Sequence, residues 1–460
     1  MSYQSADAPT AAALPAYLQA DPAALATEEG QAWEAERLRR LRLEYGLGRD
    51  EQMDQLRLLL PDLAAAEFAD WEQAGALDAV ELDGRRRYSR LNRYNVWRLS
   101  EAARTRLAEA VQSGRVAEAR LPGADRPLAQ AALRAHARDL MAAARQTGER
   151  YLLPHTYTIA YSLTVRPDQV PPGELIRCWL LYPRGCDTQR DVELLSAEPG
   201  PGLIAPDAEA CQRTIYLEQP AAAAGLPTVF HVRYRYTALG SYVPVDPRRV
   251  ESPDLGDPQV REALAPRPPH LALTPKLRQL AGEIVGEEGN PYLRARLVFG
   301  WIQEHVTYTT ALEYSTIPNL SAYCMATRQG DCGIQAMLFI ALCRAAGVPA
   351  RWQSGWYVQP ENGGMHDWAR FYVAPYGWLH ADPSKGWLKV PEGETPETLQ
   401  WFLFGNQDAF RLVANDDYGR ALWPPKRHPR SEPVDFQRGE VEWRGGNLYF
   451  GQWGWSMLVE

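Results

Sequence analysis

The chain has 460 residues, 45% of them hydrophobic and 23% charged, the make-up of a folded protein with a sizeable core, which excludes wholesale disorder. A net charge of −8 offers nucleic acid no broad basic surface. Six cysteines in so long a chain, none in a CxxC pair, exclude a disulfide scaffold and the usual zinc spacings, so reduced thiols, no metal and no other cofactor are expected.

The first residues, MSYQSADAPTAAALPAYLQADPAALA, have no positive n-region and no continuous apolar run. No stretch approaches transmembrane length, and a cytoplasmic protein without a membrane span is the expectation. Residues 1–150 read as a mostly helical region. Trp33, Leu38, Leu41 and Tyr45 recur at helical steps, DEQMDQLRLLLPDLAAAEFADWEQAGAL reads as helix, proline break, helix, and VELDGRRRYSRLN as a small hairpin with a DG turn. Residues 151–240 change texture. HTYTIAYSLTV, LIRCWLLYP, DVELLSA, RTIYLEQP and TVFHVRYRYTA are short β-rich runs between turn signals, which predicts an antiparallel, immunoglobulin-like β-sandwich. Residues 241–275 are proline-rich and read as a linker, with His270 solvated. Residues 276–460 read as an α+β core. Its C-terminal runs GEVEW and NLYFGQWGW are expected to extend the core's own sheet.

The chemistry concentrates in RQGDCGIQAMLFIALCRAAGVPAR, which starts at Arg328. Ile334, Met337, Leu338, Ala341 and Leu342 recur at helical steps, and Gly347 followed by Pro349 marks the stop. Cys332 therefore falls at or near a helix N-terminus. There the dipole and free amides lower a thiol from about 8.5 toward neutrality. The competing reading, a small buried hydrophobe, fits poorly beside Gly330, Asp331 and Gly333. It fits Cys343, mid-helix, much better.

A thiol nucleophile needs a base and a group to orient that base. Downstream, MHDWARFYVAP and YGWLHADPS read as two strands joined by a short turn. Alternation places His366, Trp368, Arg370 and Tyr372 on one face, and Trp378, His380 and Asp382 on one face of the next strand. A tight turn sets Asp382 near Ala369 or Arg370, short of His366, so a bulge or looser connection is needed to join them. On spacing alone, His380 stays a rival base and Asp367 a rival orienter. Trp356, Trp368 and Trp378 are candidate substrate-binding residues.

The ordered combination GDC, then LCRAAGVPAR closing an apolar helix, then HDWARFYV, then GWLHADPS resembles the transglutaminase-like superfamily, over roughly residues 290–390. The resemblance implies a papain-like α+β core, with the cysteine helix on an antiparallel sheet. It implies Cys332 as nucleophile, His366 as base and Asp382 as third member, and it demotes His380. It implies acyl transfer at an amide of a peptide, protein or cell-wall-type substrate, with hydrolysis as protease or amidase favoured over crosslinking. Gln303, Tyr308 and Asn319 are candidates for the further oxyanion donor that such enzymes often use. The alternative is a catalytically idle scaffold that binds a peptide, glycan or protein.

Overall fold

The computed structural model describes residues 14–115, 127–359, 363–390 and 399–460. The first half of the amino-terminal leader reading, residues 1–13, therefore lies outside the described residues. The chain is α+β and divides into two compact units: residues 1–125 with 268–270 and 305–334, and residues 126–267 with 271–304 and 335–460.

The first unit is mostly helical, as its periodicity predicts. Helices Glu28–Glu44, Arg49–Arg57, Ala65–Gln73, Asn92–Leu99 and Glu101–Gln112 are joined by the hairpin Ala79–Leu82 and Arg85–Tyr88. Asp83 and Gly84 both take positive φ, the type I′ geometry that a DG pair favours. Leu56, Phe68, Trp71, Trp97 and Leu107 fill the core between the helices. His270 is half-buried and not simply solvated. Its Nδ1 accepts from Leu320 N and its carbonyl from Ser321 Oγ, so it tethers the first turn of the helix Leu320–Thr327.

In the second unit, two antiparallel sheets enclose one core containing Tyr161, Trp179, Phe230 and Tyr234. The expected sandwich strands are there, and the carboxyl-terminal strands join them. Glu440–Trp443 pairs with Leu175–Leu181, and Trp453–Val459 with Tyr151–Val165. The expectation that these runs extend the core's own sheet is thus corrected. A strand pattern states that a run needs a partner but not which one, and here the edges on offer lie more than 250 residues back in the chain. The proline-rich stretch also holds short helices at Pro247–Arg249 and Pro258–Glu262. In each, an aspartate caps the N-terminus and the following proline presets φ.

The third sheet runs in the order Phe404–Gly405, Gly377–Ala381, Gly364–Val373, Ala350–Tyr357 and Arg411–Asn415, all antiparallel. Phe339, on the helix Cys332–Ala345, meets Phe371 of the central strand at 6.0 Å between ring centroids. A register shift follows Ser354, and at Gly355 a Cβ would fall 2.0 Å from the Leu412 carbonyl oxygen. Gly355 also lies directly opposite His366. Backbone cannot yield as a flexible side chain can, so Gly355→Ala is expected to destabilise the fold by about 3 kcal/mol or more. Urea denaturation measures this. A loss below about 0.5 kcal/mol contradicts the packing described.

Candidate active site

Cys332 is the first residue of its helix, as the Gly-Asp-Cys run predicts. Asp331 caps it. The Asp331 Oδ1 accepts from Ile334 N at 3.2 Å and from the Tyr314 hydroxyl at 2.6 Å. At Gly330 a Cβ would fall 2.4 Å from Ile334 Cγ2, so the chain turns into the helix at a spot only glycine fits. Cys332 keeps 8% of its surface exposed, while Cys178, Cys324 and Cys343 have none and burial pushes each of those thiols upward. Only the sulfur that the sequence singles out thus combines a helix N-terminus with a route to solvent among these four.

Burial raises the Asp331 carboxyl to about 6, outweighing its bonds from Tyr314 and the Ile334 amide. A carboxyl raised in the fold contributes stability fully below its unfolded value and loses it as pH rises through the folded one. Asp331→Asn keeps an acceptor for both donors and carries no charge to bury. The variant should therefore gain on the wild type as pH rises from 4 to 7.5. Paired melting temperatures at the two pH values check this, and a constant gap contradicts it.

The imidazole and its partner carboxylate lie in the second unit. His366 Nε2 and Asp382 Oδ2 are 2.6 Å apart, with 6% and 2% of the residues exposed. The strands pair Val373 with Gly377 and Ala369 with Ala381 without a register shift, so Asp382 follows on beside Trp368, two residues short of His366. That is about 7 Å along a strand. No bulge joins the pair. The two side chains close the gap themselves.

Buried groups hold this pair on every side. Asp382 Oδ2 also accepts from Arg411 Nη2 at 2.8 Å, and its Oδ1 accepts from Ser384 Oγ and Lys385 N, each at 3.0 Å. Arg411 reaches Asp408 as well, at 2.9 Å. Burial by itself would raise Asp382, but the imidazole and Arg411 outweigh it and hold the carboxyl well below its usual range. Burial lowers His366, and Asp382 only partly offsets this. Gln437, from the carboxyl-terminal segment, donates to the His366 carbonyl and to Asp367 Oδ1. Asp367, the rival orienter, is thereby occupied away from the ring. The rival base His380 is buried opposite Arg370, and neither of its ring nitrogens has a partner among the described residues.

The three tryptophans fare differently. Trp368 is fully buried, 5.8 Å from the His366 ring, and its Nε1 donates to Gln353, so it props the imidazole. Trp356 packs on Tyr161 and Trp455 in the sandwich core and donates to the Gln437 carbonyl. The expectation that these two line a substrate groove is corrected, because the sheet's crowded aromatic positions face its own packing. Trp378 carries the Arg351 guanidinium at 4.1 Å and sits near Arg370, toward the other end of the strands from His366.

Among the oxyanion candidates, Gln303 is engaged in structure. Its Nε2 donates to Pro383 O at 2.6 Å and its Oε1 accepts from Trp387 N, which braces the turn after Asp382. Asn319 caps its own helix through Ala322 N. Tyr308 lies in a short parallel pairing beside Gly330, the residue 44% exposed. Sequence reading missed Arg411, Asp408, Tyr314 and Gln437. An arginine inside the apolar run FRLVA was a usable signal, since a buried guanidinium requires a carboxylate. Among the described residues no His/Cys/Asp/Glu group could hold a metal ion, and no helix is long and apolar enough to cross a membrane.

Residues 278–383 match the family model of the transglutaminase-like superfamily. A Haemophilus influenzae protein is 25% identical over 196 residues, 36% of this chain and 52% of its own length. The YebA protein of Bacillus subtilis is 23% identical over 146 residues, 28% of this chain and 20% of its own length. The chain thus spans about half or less of these curated relatives. Two solved structures overlap it in part. One is a candidate cysteine protease from Cytophaga hutchinsonii (TM-score 0.43, 19% identity, 67% of this chain and 91% of that one). The other is the periplasmic domain of TgpA from Pseudomonas aeruginosa (TM-score 0.26, 17% identity, 51% of this chain and 72% of that one). The helix that begins at Cys332 and the strands that carry His366 and lead to Asp382 all fall within the matched residues, and this stretch of the chain is a transglutaminase-like region.

Proposed function

We propose that the chain is a thiol acyl-transfer enzyme acting on amides, with Cys332 as nucleophile, His366 as base and Asp382 as its orienter, and that water is the usual acceptor. The observation that carries this reading is the buried His366–Asp382 pair at 2.6 Å. A neutral imidazole fixed through Nε2 to an ionised carboxylate presents Nδ1 for proton transfer and gains a stabilised cationic form. That is costly to build inside a protein and serves little purpose in a scaffold.

The chemistry follows in two steps. His366 takes the proton of Cys332, and the sulfur attacks the amide carbonyl carbon. The C–N bond then breaks as His366 returns the proton to the leaving amine, giving a thioester. Water, deprotonated by the same imidazole, cleaves the thioester, and the carboxylate and the free thiol are released. An amine in place of water gives transfer. Backbone amides at the helix start are suited to the developing oxyanion.

The test is a screen of peptides and cell-wall fragments with wild type and Cys332→Ala. Cleaved fragments from wild type alone support hydrolysis, and incorporation of an added amine with release of ammonia supports transfer. Identical traces from the two proteins count against an enzyme.

A further inference from the structure

A second cluster lies on the same sheet, away from His366 along the strands. Arg351, Arg370 and His380 stand in direct register across three neighbouring strands, Arg351 opposite Arg370 and Arg370 opposite His380. Arg351 and Arg370, like charges placed directly across the sheet, repel one another, so the arrangement costs stability unless something compensates. The compensation present is thin. Asp416 stands 3.7 Å from each guanidinium and Asp187 3.6 Å from Arg370, beyond hydrogen-bonding reach. Asp416 Oδ1 accepts from Gln353 Nε2 at 3.0 Å instead, and Asp187 is 61% exposed.

The polar atoms of this row are short of partners. Arg370 is 6% exposed and His380 3%. The Nε of Arg351, the Nε of Arg370 and both ring nitrogens of His380 are buried without a hydrogen-bond partner among the described residues. A buried donor left unmade typically costs on the order of 1–3 kcal/mol, and a buried cation more. The row gathers at least three such donors in one place. The row opens to solvent at its Arg351 end. Arg351 and Asp416 line a cavity of about 540 Å³, together with Arg344, Arg267 and Arg420. Arg267 and Arg420 are committed to Asp417 and Arg344 spends its donors on backbone carbonyls, so among the cavity's arginines Arg351 is the one that keeps an unmade donor. Burial lowers both Arg344 and Arg351, and the carboxylates near them only partly offset it. The Arg351 guanidinium lies over the Trp378 ring at 4.1 Å, which restrains it.

We propose that Arg351, Arg370 and His380 form an oxyanion-binding site, reached through this cavity, that takes a carboxylate or a phosphate group. Planar guanidinium forks match the paired oxygens of either group, and one anion supplies both the missing acceptors and the missing charge. Water supplies the acceptors only. The site stands apart from the proposed catalytic residues, and the proposal does not depend on their chemistry. His366 and Arg370 are four residues apart on one strand, about 13 Å.

Thermal unfolding of the full chain tests this at fixed pH and ionic strength. One arm titrates inorganic phosphate and a second a short peptide with a free C-terminal carboxylate, against its amidated form. Chloride is the control in both. The expected result is a saturable rise in Tm of about 3 °C or more in at least one arm, absent with chloride. Phosphate alone points to a free oxyanion, and the free-carboxylate peptide alone to a chain terminus. Arg351→Gln should lose the response, and Arg351→Lys, which keeps the charge without the fork, should weaken apparent affinity by at least about 10-fold. The same variants should quench differently at Trp378 on titration. No saturable rise beyond chloride in either arm, or an unchanged response in both variants, overturns the site.

Discussion

Arg411→Met is expected to lower the stability of the fold by about 3–5 kcal/mol, the cost of removing one partner from a buried ion pair. Arg411 is 2% exposed and serves two carboxylates at once, Asp382 at 2.8 Å and Asp408 at 2.9 Å. Methionine fills much of the volume and can lie on the Trp368 ring, where the guanidinium now sits at 4.8 Å. Packing loss is therefore the smaller part of the effect. The larger part is two carboxylates, both nearly sealed from water, left without their shared cation. Replacing all three charges with apolar groups would cost far less than replacing the arginine alone, and this asymmetry is what identifies the mechanism. Urea denaturation at pH 7.5 reads the effect, and a loss under about 1 kcal/mol contradicts it. The depressed Asp382 and Asp408 contribute stability above their unfolded values and lose it as pH falls through the folded ones. The difference between wild type and variant should therefore shrink in acid.

Asp382→Asn is expected to reduce turnover on any amide substrate by about 10²–10⁴-fold with little change in fold. Four donors converge on the Asp382 carboxylate: His366 Nε2, Arg411, Ser384 and the Lys385 amide. A carboxylate accepts all four with two oxygens, whereas an amide has one acceptor and must turn its NH₂ toward somebody's donor. Turned toward His366, the amide forces the tautomer that presents the wrong nitrogen to the thiol. Turned toward Ser384 and Lys385, it keeps one contact to the ring but removes the charge that stabilises imidazolium. Either way kcat falls, while KM changes little if the residue does not touch substrate. A loss smaller than about 10-fold in kcat contradicts the role given to this carboxylate.

Much of this site was legible in the sequence because its signals are local. A glycine, an aspartate and a cysteine before an apolar helix say where a helix starts, and Cys332 does start one. The strand pattern of HDWARFYV and GWLHA led His366 and Asp382 to neighbouring strands, and strand spacing erred only in demanding a bulge or looser connection where side-chain length suffices. The parts that were not legible are non-local. Gln437 reaches His366 across 71 residues and Arg411 reaches Asp382 across 29, and no periodicity reports such pairings. The last strands carry a clear β pattern, yet their partners were fixed by sheet edges far upstream. The tryptophans misled for a related reason: an aromatic on a strand suits a groove and a core equally, and burial alone separates the two.

The central claim is that His366 activates Cys332, and the rate of alkylation at that sulfur measures it most directly. Peptide mapping after limiting iodoacetamide, from pH 5 to 9, reads Cys332 against the buried Cys178, Cys324 and Cys343 in the same sample. Cys332 is expected to react fastest near pH 7, and His366→Ala to slow it at least about 10-fold there, with circular dichroism unchanged. Equal rates at Cys332 in wild type and His366→Ala across that range would contradict it.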